Sequence, residues 1–456
     1  MAVFRVCLKA VFCLSDNSIS LFNPKYIKMN FVEELKWRGL FHQSTPGLEE
    51  ALEEGIVIGY IGYDPTAPSL TIGNLVTIML LKHLQLKGHK PVVLMGGATG
   101  RIGDPSGKDK ERQLKSFEEL DKNLSTQKEQ FSRFLNFSND ISNPAIIVNN
   151  YDFYKEMNVL DFLRDVGKTL TVNYMMAKES VKKRVETGLS FTEFSYQLLQ
   201  GYDFQHMYEN HGVSLQMGGS DQWGNIVSGT EMIRKNLGHE ANAFALTCPL
   251  LTKSDGKKFG KSEEGNVWLA STMTSPYKFY QFWLNMGDED IANANRIFSL
   301  KSCEEIEALE VQHAEAPHLR VLQKALAEEL TIWVHSADDY ASVLEVSELL
   351  FNKKANRDYL LNINAHSLAT VAEEIPSFRV AKNNLENGIN IVELIVNGGV
   401  VKSNSDARRA IKGNALGINK QKIKSHETII NSDELLHGKY IMIENGKKHK
   451  FMLIVE

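Results

Sequence analysis

An alternation of strand and helix patterns between residues 57 and 223 constrains the fold most. The run GIVIGYIGYD (residues 55–64) is rich in β-branched and aromatic residues, which favour strands. The next run, LVTIMLLKHLQLKGH (75–89), has apolar residues at helical spacing, and KPVVLMGGATG (90–100) is a second strand that leads into glycines. This order predicts an α/β fold with a parallel sheet and right-handed crossovers. Ligands of such folds bind beyond the carboxyl ends of the strands.

The rest of the chain divides by pattern. CEEIEALEVQHAEAPHLRVLQKALAEELTIWVH (303–335) repeats apolar residues at i, i+3 and i+4, which predicts a small helical domain. The stretch 352–388 is mixed and polar, and 389–456 has a compact α+β pattern. The predicted divisions are an N-terminal extension that is disordered (1–28), a large α/β domain (29–262), a helical domain (263–351), a linker (352–388) and a small α+β domain (389–456).

Charge and cysteine content exclude several classes of protein. The net charge of −5 argues against a general nucleic-acid binder, but from Lys402 onward eleven Lys or Arg face six Asp or Glu, a net of +5. This basic end predicts a local polyanion contact or, alternatively, a solvated surface. The four cysteines form no CxxC pair, so we expect neither a zinc site nor a disulfide framework. This cysteine content fits a protein of the reducing cytoplasm. No apolar run reaches the roughly 18 residues of a membrane helix.

Two stretches follow predicted strands. In YIGYDPTAPSLTIGNL (60–75) the chain turns at two prolines and a helix begins near Ile72 or Gly73, whose free N–H groups suit a phosphate. In GGATGRIGDPSGKDKER (96–112), five glycines precede or surround Asp104, which could hold an ammonium group beyond a strand end. Alternatively, the first stretch is an ordinary strand–helix junction and Asp104 only caps a turn.

A polar stripe lies in FTEFSYQLLQGYDF (191–204). Tyr196, Gln200 and Asp203 are spaced by four and three residues, which places them on one face of a helix. Buried polar groups need partners, and an amino acid would supply them. A solvent-facing stripe is the alternative.

Two further stretches contain groups that suit a nucleotide. LQMGGSDQWGNI (215–226) places Asp221 next to glycines at a strand end, where a carboxylate suits ribose hydroxyls. DGKKFGKSEEGN (255–266) contains Lys257, Lys258 and Lys261 in a glycine-rich loop, and paired lysines can neutralise charge on a transferring phosphate. Separately, these stretches could also be a turn and an exposed charged loop.

Together, the motifs YIGYDPTAPSL, GGATGRIGDPSGK, FTEFSYQLLQGYDF, GGSDQWGNI and KFGKS resemble the bacterial-type class I tyrosyl-tRNA synthetases, in order from about Met29 to the C-terminus. The resemblance implies a Rossmann-type parallel-sheet catalytic domain with a dimerisation insertion, a helical anticodon-side domain and a small α+β RNA-binding domain. In the last domain, SNSDARRAIKGNALGINKQKI (403–423) matches the RNA-facing motif, with Arg408 and Arg409 as the implied RNA-binding residues.

The resemblance also assigns site residues. Tyr60 and Asp203 are implied to bind a substrate phenol, while Asp104, Tyr196 and Gln200 receive its ammonium group and Gln222 lies near its carboxylate. The implied tyrosine-binding residues are thus Tyr60, Asp104, Tyr196, Gln200, Asp203 and Gln222. The implied ATP-binding residues are Gly62, Asp64, Gly73, Gly219, Asp221, Lys258 and Lys261. The implied catalytic residues are Thr66, Thr71, Asn74, Lys258 and Lys261.

The sequence departs from the family at its HIGH signature, where it has Thr71-Ile72-Gly73-Asn74. Thr71 can donate a hydrogen bond to a phosphate oxygen, and Asn74 offers an amide N–H, but neither carries a positive charge. We expect an active site in which Lys258 and Lys261 supply more of the transition-state stabilisation.

The resemblance implies that L-tyrosine attacks the α-phosphorus of ATP and that tRNA(Tyr) then accepts the tyrosyl group. Mg²⁺ is expected to accompany ATP, with no metal site of the protein's own and no tightly bound cofactor. A homodimer is implied because Phe191 lies where the family builds its dimer interface. A tryptophanyl-type synthetase and a non-catalytic RNA-binding paralogue are the alternative functions.

Overall fold

The computed structural model describes residues 29–106, 114–178, 181–182, 184–185, 188–254, 256, 259–262, 265–351, 356–446 and 449–456. The predicted extension 1–28 and the predicted catalytic residue Lys258 lie outside the described residues. Lys261 is described only in its backbone, so its predicted role lies outside the description too.

A six-stranded sheet forms the centre of the larger domain. Its strands are β1 (Gln43–Ser44), β2 (Ile58–Tyr63), β3 (Lys90–Met95), β4 (Ile146–Asn149), β5 (Leu215–Gly219) and β6 (Phe244–Cys248). The order across the sheet is β1-β6-β5-β2-β3-β4, and all neighbours are parallel except β1, which pairs antiparallel with β6. The predicted parallel α/β sheet is confirmed. From β2 the chain adds β3 and β4 on one side, and from β5 it adds β6 on the other side. The point where the strand order reverses, the switch point, therefore lies between β2 and β5.

Helices cover this sheet. Among the described residues, the α-helices are α1 (Phe31–Arg38), α2 (Leu48–Glu54), α3 (Ile72–Leu86), α4 (Phe117–Phe134), α5 (Tyr151–Tyr154), α6 (Val159–Asp161), α7 (Val172–Met176), α8 (Phe191–His211) and α9 (Trp223–Leu237). Short 3-10 turns lie at Thr99–Arg101 and Ser220–Gln222, and Phe162–Val166 is a π-helix. Helix α3 begins where the sequence predicted, and most of its side chains are buried, which fits its central position.

The predicted helical domain is also present. Its helices are α10 (Pro276–Leu284), α11 (Asp288–Phe298), α12 (Cys303–Glu315), α13 (Val321–Val334) and α14 (Ala337–Phe351), with a 3-10 turn at Pro317–Leu319. A short hairpin, β7 (Lys261–Ser262) and β8 (Gly265–Asn266), precedes it. The buried guanidinium of Arg38 donates to the carbonyls of Arg296, Ser299 and Lys301, which joins the N-terminal helix to this domain.

The C-terminal part differs from the prediction at the linker 352–388. This segment contains α15 (Arg357–Asn362), α16 (Ala365–Glu374), β9 (Ser377–Val380) and α17 (Lys382–Glu386). The remaining elements are β10 (Ile389–Asn390), α18 (Ile391–Asn397), α19 (Asn404–Lys412), β11 (Leu416–Ile418), β12 (Gln421–Lys422), β13 (Ile429–Ile430), a 3-10 turn (Ser432–Glu434), β14 (Tyr440–Asn445) and β15 (His449–Val455).

The reason for this difference is long-range pairing. Strand β9 pairs in parallel with β15 and completes a five-stranded sheet of order β12-β11-β14-β15-β9. Backbone groups of Ser377–Val380 therefore find their partners at the far end of the chain, where sequence patterns cannot show them. Elements between Arg357 and Glu386 are thus folded, and Ser377–Val380 belongs to the sheet of the C-terminal domain.

Across the part of the chain that the structure describes, no helix is long and apolar enough to cross a membrane.

Candidate active site

A cavity of about 320 Å³ opens at the carboxyl ends of β2 and β5, at the switch point of the sheet. Thirteen of the predicted site residues line it: Tyr60, Gly62, Asp64, Thr66, Gly73, Asn74, Asp104, Tyr196, Gln200, Asp203, Gly219, Asp221 and Gln222. Residues from four distant stretches of sequence therefore meet in one place. Thr71 is not in this lining, and Arg408 and Arg409 lie on α19 of the C-terminal domain.

One end of the cavity contains a tyrosine hydroxyl and a carboxyl that are both buried. Tyr60 is 1% exposed, and its hydroxyl has no hydrogen-bond partner among the described residues. Asp203 is 2% exposed and accepts hydrogen bonds from Tyr154 Oη at 2.7 Å and Asn150 Nδ2 at 2.9 Å. Burial raises the pKa of Asp203 to about 7, and the two donors act against that rise. This end of the cavity therefore presents a strong acceptor beside an unused hydroxyl.

Asn150 and Tyr154 were missed in the sequence. Both follow β4, and Asn150 lines the cavity. The signal was present, because the polar pair Asn149-Asn150 comes directly after the apolar run that forms the strand. Polar residues at the end of a parallel strand belong at the ligand-binding edge of the sheet.

A hydrogen-bond network links the two ends of the cavity. Asp64 accepts from Thr99 Oγ1 at 2.7 Å and from Tyr196 Oη at 3.1 Å. Asn150 Nδ2 also lies 3.0 Å from Thr99 Oγ1, so the amide connects Asp64 with Asp203. A side chain at Gly96 would clash, since its Cβ would lie 2.1 Å from Asp64 Oδ1. The glycine is needed here for close approach of the backbone.

The structure supports both readings of Asp104. Its Oδ1 accepts from the backbone N–H of Ser106 at 2.9 Å, which is the turn-capping role. Its Oδ2 accepts from Gln222 Nε2 at 2.7 Å, and both residues line the cavity. Asn225 supports the turn that contains Asp104, because its Nδ2 donates to Ser106 Oγ at 3.1 Å. The carboxylate is thus fixed by its own turn and still faces the ligand space.

Two glutamines leave buried oxygens unpaired. Gln200 Oε1 and Gln216 Oε1 have no partner among the described residues, and both side chains line the cavity. Gln216 pairs with Tyr60 across the sheet and was missed in the sequence, where it reads as an ordinary strand residue. Together with the hydroxyl of Tyr60, these atoms are unsatisfied unless a polar ligand enters.

Thr71 and Asn74 form a capping box at the start of α3. Asn74 Oδ1 accepts from Thr71 N and from Thr71 Oγ1, both at 2.9 Å, and Asn74 N lies 3.4 Å from Thr71 Oγ1. The Thr71 hydroxyl is thus engaged within the cap, and its contact with a phosphate stays a prediction. Asn74 lines the cavity, and its oxygen serves the cap, so its amide N–H groups are the part available to a ligand.

The loop that contains the KFGKS motif packs on this helix start. A Cβ at Gly260 would lie 3.2 Å from Gly73 N, and Gly260 has φ +81°, so glycine is favoured here twice over. Phe259 anchors the loop by stacking on Phe298 with ring centroids 5.5 Å apart. The backbone at Phe259 and Gly260 therefore lies close to the first turn of α3.

The model of one protein family matches residues 53–352, more than half of the 456 residues; it describes the class I tRNA synthetases (W and Y). This chain belongs to the class I tRNA synthetases. A second model, the tyrosine–tRNA ligase SYY-like C-terminal domain, matches residues 367–454. The family resemblance and the enzyme class predicted from the motifs are confirmed. The second match begins within the predicted linker and agrees with the pairing of β9.

Curated members of this synthetase family are similar over nearly the whole chain. The tyrosine–tRNA ligase of Bacteroides thetaiotaomicron is 52% identical over 433 residues, which cover 94% of this chain and 100% of the relative. That of Cytophaga hutchinsonii is 54% identical over 427 residues, which cover 93% and 99%. Among solved structures, a C-terminally truncated mitochondrial tyrosyl-tRNA synthetase of Aspergillus nidulans matches with a TM-score of 0.63 and 29% identity, covering 71% of this chain and 94% of that chain.

Proposed function

We propose that this chain is a tyrosine–tRNA ligase that activates L-tyrosine with ATP and transfers the tyrosyl group to the 3′ end of tRNA(Tyr). The observation that carries the proposal is the buried pair formed by Tyr60 and Asp203 at the closed end of a cavity. The full-length similarity to curated tyrosine–tRNA ligases supports the same conclusion.

A phenol fits the Tyr60 end of the cavity. Its O–H donates to the Asp203 carboxylate, and its oxygen accepts from the hydroxyl of Tyr60. Phenylalanine would leave both protein groups buried and unpaired, which costs free energy for each group. The indole of tryptophan has one N–H donor and no oxygen acceptor, so it would leave the Tyr60 hydroxyl without a partner. This difference favours tyrosine over the tryptophanyl alternative.

The ammonium and carboxylate groups of the amino acid would meet carboxylate, hydroxyl and amide side chains. We propose that Asp104, Tyr196 and Gln200 bind the ammonium group and that Gln222 lies near the carboxylate. The support is that the four line one cavity and that Gln222 Nε2 already contacts Asp104. The carboxylate then points towards the start of α3, where ATP would present its α-phosphorus.

We propose that ATP binds along Gly62, Asp64, Gly73, Gly219 and Asp221. Asn74 and Thr66 face the phosphates from the cavity wall, and Lys258 and Lys261 approach from the KFGKS loop. Positioning and charge stabilisation would supply the catalysis, without a covalent enzyme intermediate. Mg²⁺ would enter with ATP, and a group of three or more His, Cys, Asp or Glu side chains able to hold a metal is absent from the described residues.

We propose that the C-terminal domain binds tRNA through α19. Arg408 and Arg409 are exposed on this helix, and the helix belongs to a segment that carries a positive net charge. Arg409 is paired with Asp406 at 2.9 Å, a surface contact that an RNA phosphate can replace.

We also propose a homodimer in the cytoplasm. The segment from the end of β4 to the first residue of α8 exposes several apolar side chains, among them Val159, Leu160, Val172 and Phe191, the last 72% exposed. Exposed apolar side chains in this number mark an interaction surface.

The test is ATP–pyrophosphate exchange with tyrosine, with tryptophan, and with neither. Exchange that depends on tyrosine alone supports the proposal, and transfer of tyrosine to tRNA(Tyr) completes it. Folded protein that catalyses no exchange supports the RNA-binding alternative instead. Asp203→Ala should abolish most tyrosine-dependent exchange, and activity near that of the wild type would contradict the assignment of the phenol site.

A further inference from the structure

One face of α4 holds the loop that leads from β2 to α3. Asn123, Gln127 and Gln130 are spaced by four and three residues, so they share a face of the helix. Asn123 Nδ2 donates to Pro65 O at 3.1 Å, and Gln127 Nε2 donates to Ala67 O at 2.7 Å. Each side chain thus contacts a different carbonyl along one short stretch of backbone.

Gln130 both accepts and donates a hydrogen bond at the end of the same loop. Its Oε1 accepts from Leu70 N at 2.9 Å, and its Nε2 donates to Ser69 Oγ at 3.0 Å. Ser69 is 2% exposed, and its Oγ also accepts from Ala270 N at 3.0 Å. Through Ser69, the same helix face reaches the segment that follows the KFGKS loop.

This loop has little regular structure of its own. It begins where β2 ends at Tyr63, and its two prolines cannot donate backbone hydrogen bonds. Yet it contains Asp64 and Thr66, which both line the active-site cavity. The position of these two residues therefore depends on contacts from outside the loop, and α4 supplies a regular series of them.

The segment that contacts Ser69 through Ala270 leads back to Gly260 of the KFGKS loop. Leu269 N donates to Leu70 O at 2.9 Å, and Val267 N donates to Gly260 O at 3.0 Å. Gly260 is the residue that packs against the first turn of α3. One row of side chains thus contacts the loop after β2 directly and, through Ser69, the segment that leads back to Gly260.

We propose that Asn123, Gln127 and Gln130, named the α4 clamp, are positioning residues for the ATP-dependent step. The inference rests on the proposed tyrosine–tRNA ligase function. The clamp residues are not among those that line the active-site cavity. They act by holding the Asp64–Leu70 loop and, through Ser69, the backbone behind the KFGKS loop.

The alternative is that these amides only pair with polar groups of the loop and stabilise the fold. Gln127 separates the two readings. It is 3% exposed, and its Oε1 has no partner among the described residues. Gln127→Met keeps the length of the side chain and removes this unpaired acceptor together with the donor. Global stability should change little, while the contact with Ala67 is lost.

The experiment measures tyrosine-dependent ATP–pyrophosphate exchange and, separately, equilibrium binding of tyrosine. We expect Gln127→Met to lower kcat about tenfold and to raise KM for ATP, because small misplacements of substrate-positioning groups are costly. The dissociation constant of tyrosine should stay within about twofold, since Tyr60 on β2 and Asp203 on α8 lie outside the clamped loop. Tyr196 contacts Asp64 of the loop, but its position is set by α8. Lys128→Met is the matched control, as Lys128 is the next residue and is exposed; it should behave as the wild type.

Two variants of Gln130 test the same proposal if Gln127→Met folds poorly. Gln130→Glu retains an acceptor for Leu70 N and loses the donor to Ser69, whereas Gln130→Met loses both. We expect kcat to fall in the order wild type, Gln130→Glu, Gln130→Met, with tyrosine binding unchanged. Unchanged kcat and KM for ATP in the Gln127 and Gln130 variants would overturn the clamp. A parallel loss of tyrosine binding would also overturn it. Wild-type protein without tyrosine-dependent exchange would overturn the proposed function and the clamp with it.

Discussion

The hydroxyl of Tyr154 donates a hydrogen bond to Asp203 Oδ1 at 2.7 Å, at the end of the cavity where Tyr60 leaves its own hydroxyl unpaired. The Tyr154 hydroxyl also lies 2.8 Å from Leu199 O. Asp203 is thus held by donors from the strand-end side of the sheet, and its remaining acceptor capacity faces the cavity. The fold alone therefore sets the position of Asp203 beside Tyr60.

Folding stability should depend on the protonation of Asp203. Its pKa rises from 3.8 to about 7 on folding because the carboxyl is buried. Between these two values the folded state binds more protons than the unfolded state, so this group's contribution lowers stability as the pH rises from about 4 to about 7. Asp203→Asn should remove a slope of at most about 1.4 kcal/mol per pH unit in that window. Denaturant unfolding at several pH values measures it, and identical slopes in the two proteins would contradict the assigned pKa.

Tyr60→Phe should separate stability from specificity. An unpaired buried hydroxyl costs about 1–3 kcal/mol, so the variant should unfold with an unchanged or higher free energy. Tyrosine binding should weaken about tenfold, since a hydrogen bond to the substrate oxygen is lost. Discrimination against phenylalanine should fall as well. The measurements are chemical denaturation and exchange kinetics with both amino acids; a clear loss of stability would mean that the hydroxyl has a partner after all.

Asn74→Asp tests which atom of Asn74 matters. The carboxylate oxygen can still accept from Thr71 N and Oγ1, and a negative charge at the start of α3 favours the helix. The melting temperature should therefore be kept or raised. Exchange should fall about a hundredfold, because the amide donor is replaced by a charge that repels phosphate. Thr71→Ser, which retains the cap, is the control and should stay close to the wild type. Full activity of Asn74→Asp would remove Asn74 from the catalytic residues.

Phe191→Asp should weaken the dimer. The side chain is 72% exposed in one chain, so the fold tolerates the change, while a charge at an apolar interface is costly. We expect the dimer dissociation constant to rise at least about tenfold, which corresponds to about 1.4 kcal/mol. Analytical ultracentrifugation measures it. Val311→Asp replaces another exposed apolar residue, 61% exposed, and should leave the oligomeric state unchanged. Equal behaviour of the two variants would argue against an interface at Phe191.

Replacing both Arg408 and Arg409 by Ala should affect tRNA and not tyrosine activation. KM for tRNA should rise, and the slope of log binding against log salt should become shallower by about 1–2, since each lost phosphate contact contributes about one. Pyrophosphate exchange should remain at the wild-type level. Lys382→Ala, a charge change elsewhere in the same domain, is the control. A uniform loss in exchange and charging would indicate damage to the fold.

Local chemistry made much of the site predictable. The strand of Ile58–Tyr63 and the start of α3 at Ile72 follow from residue type, proline placement and the helical spacing that comes after them. Tyr196, Gln200 and Asp203 fall on one face because helical spacing requires it. Right-handed crossovers then bring the ends of parallel strands to one edge of the sheet. For these reasons the sequence by itself determined the fold class, and its resemblance to the synthetase family supplied thirteen of the residues that line the cavity.

Only the tertiary structure decided which distant groups meet. Asn150 and Tyr154 reach Asp203 from the segment after β4, and Ser377–Val380 becomes a strand because β15 offers it backbone partners. Likewise, the amides of α4 find the carbonyls of a loop about sixty residues earlier, as with Gln127 and Ala67. The physical reason is that hydrogen bonds have short range and strict geometry, so their partners are fixed by proximity in space, which residue patterns do not encode.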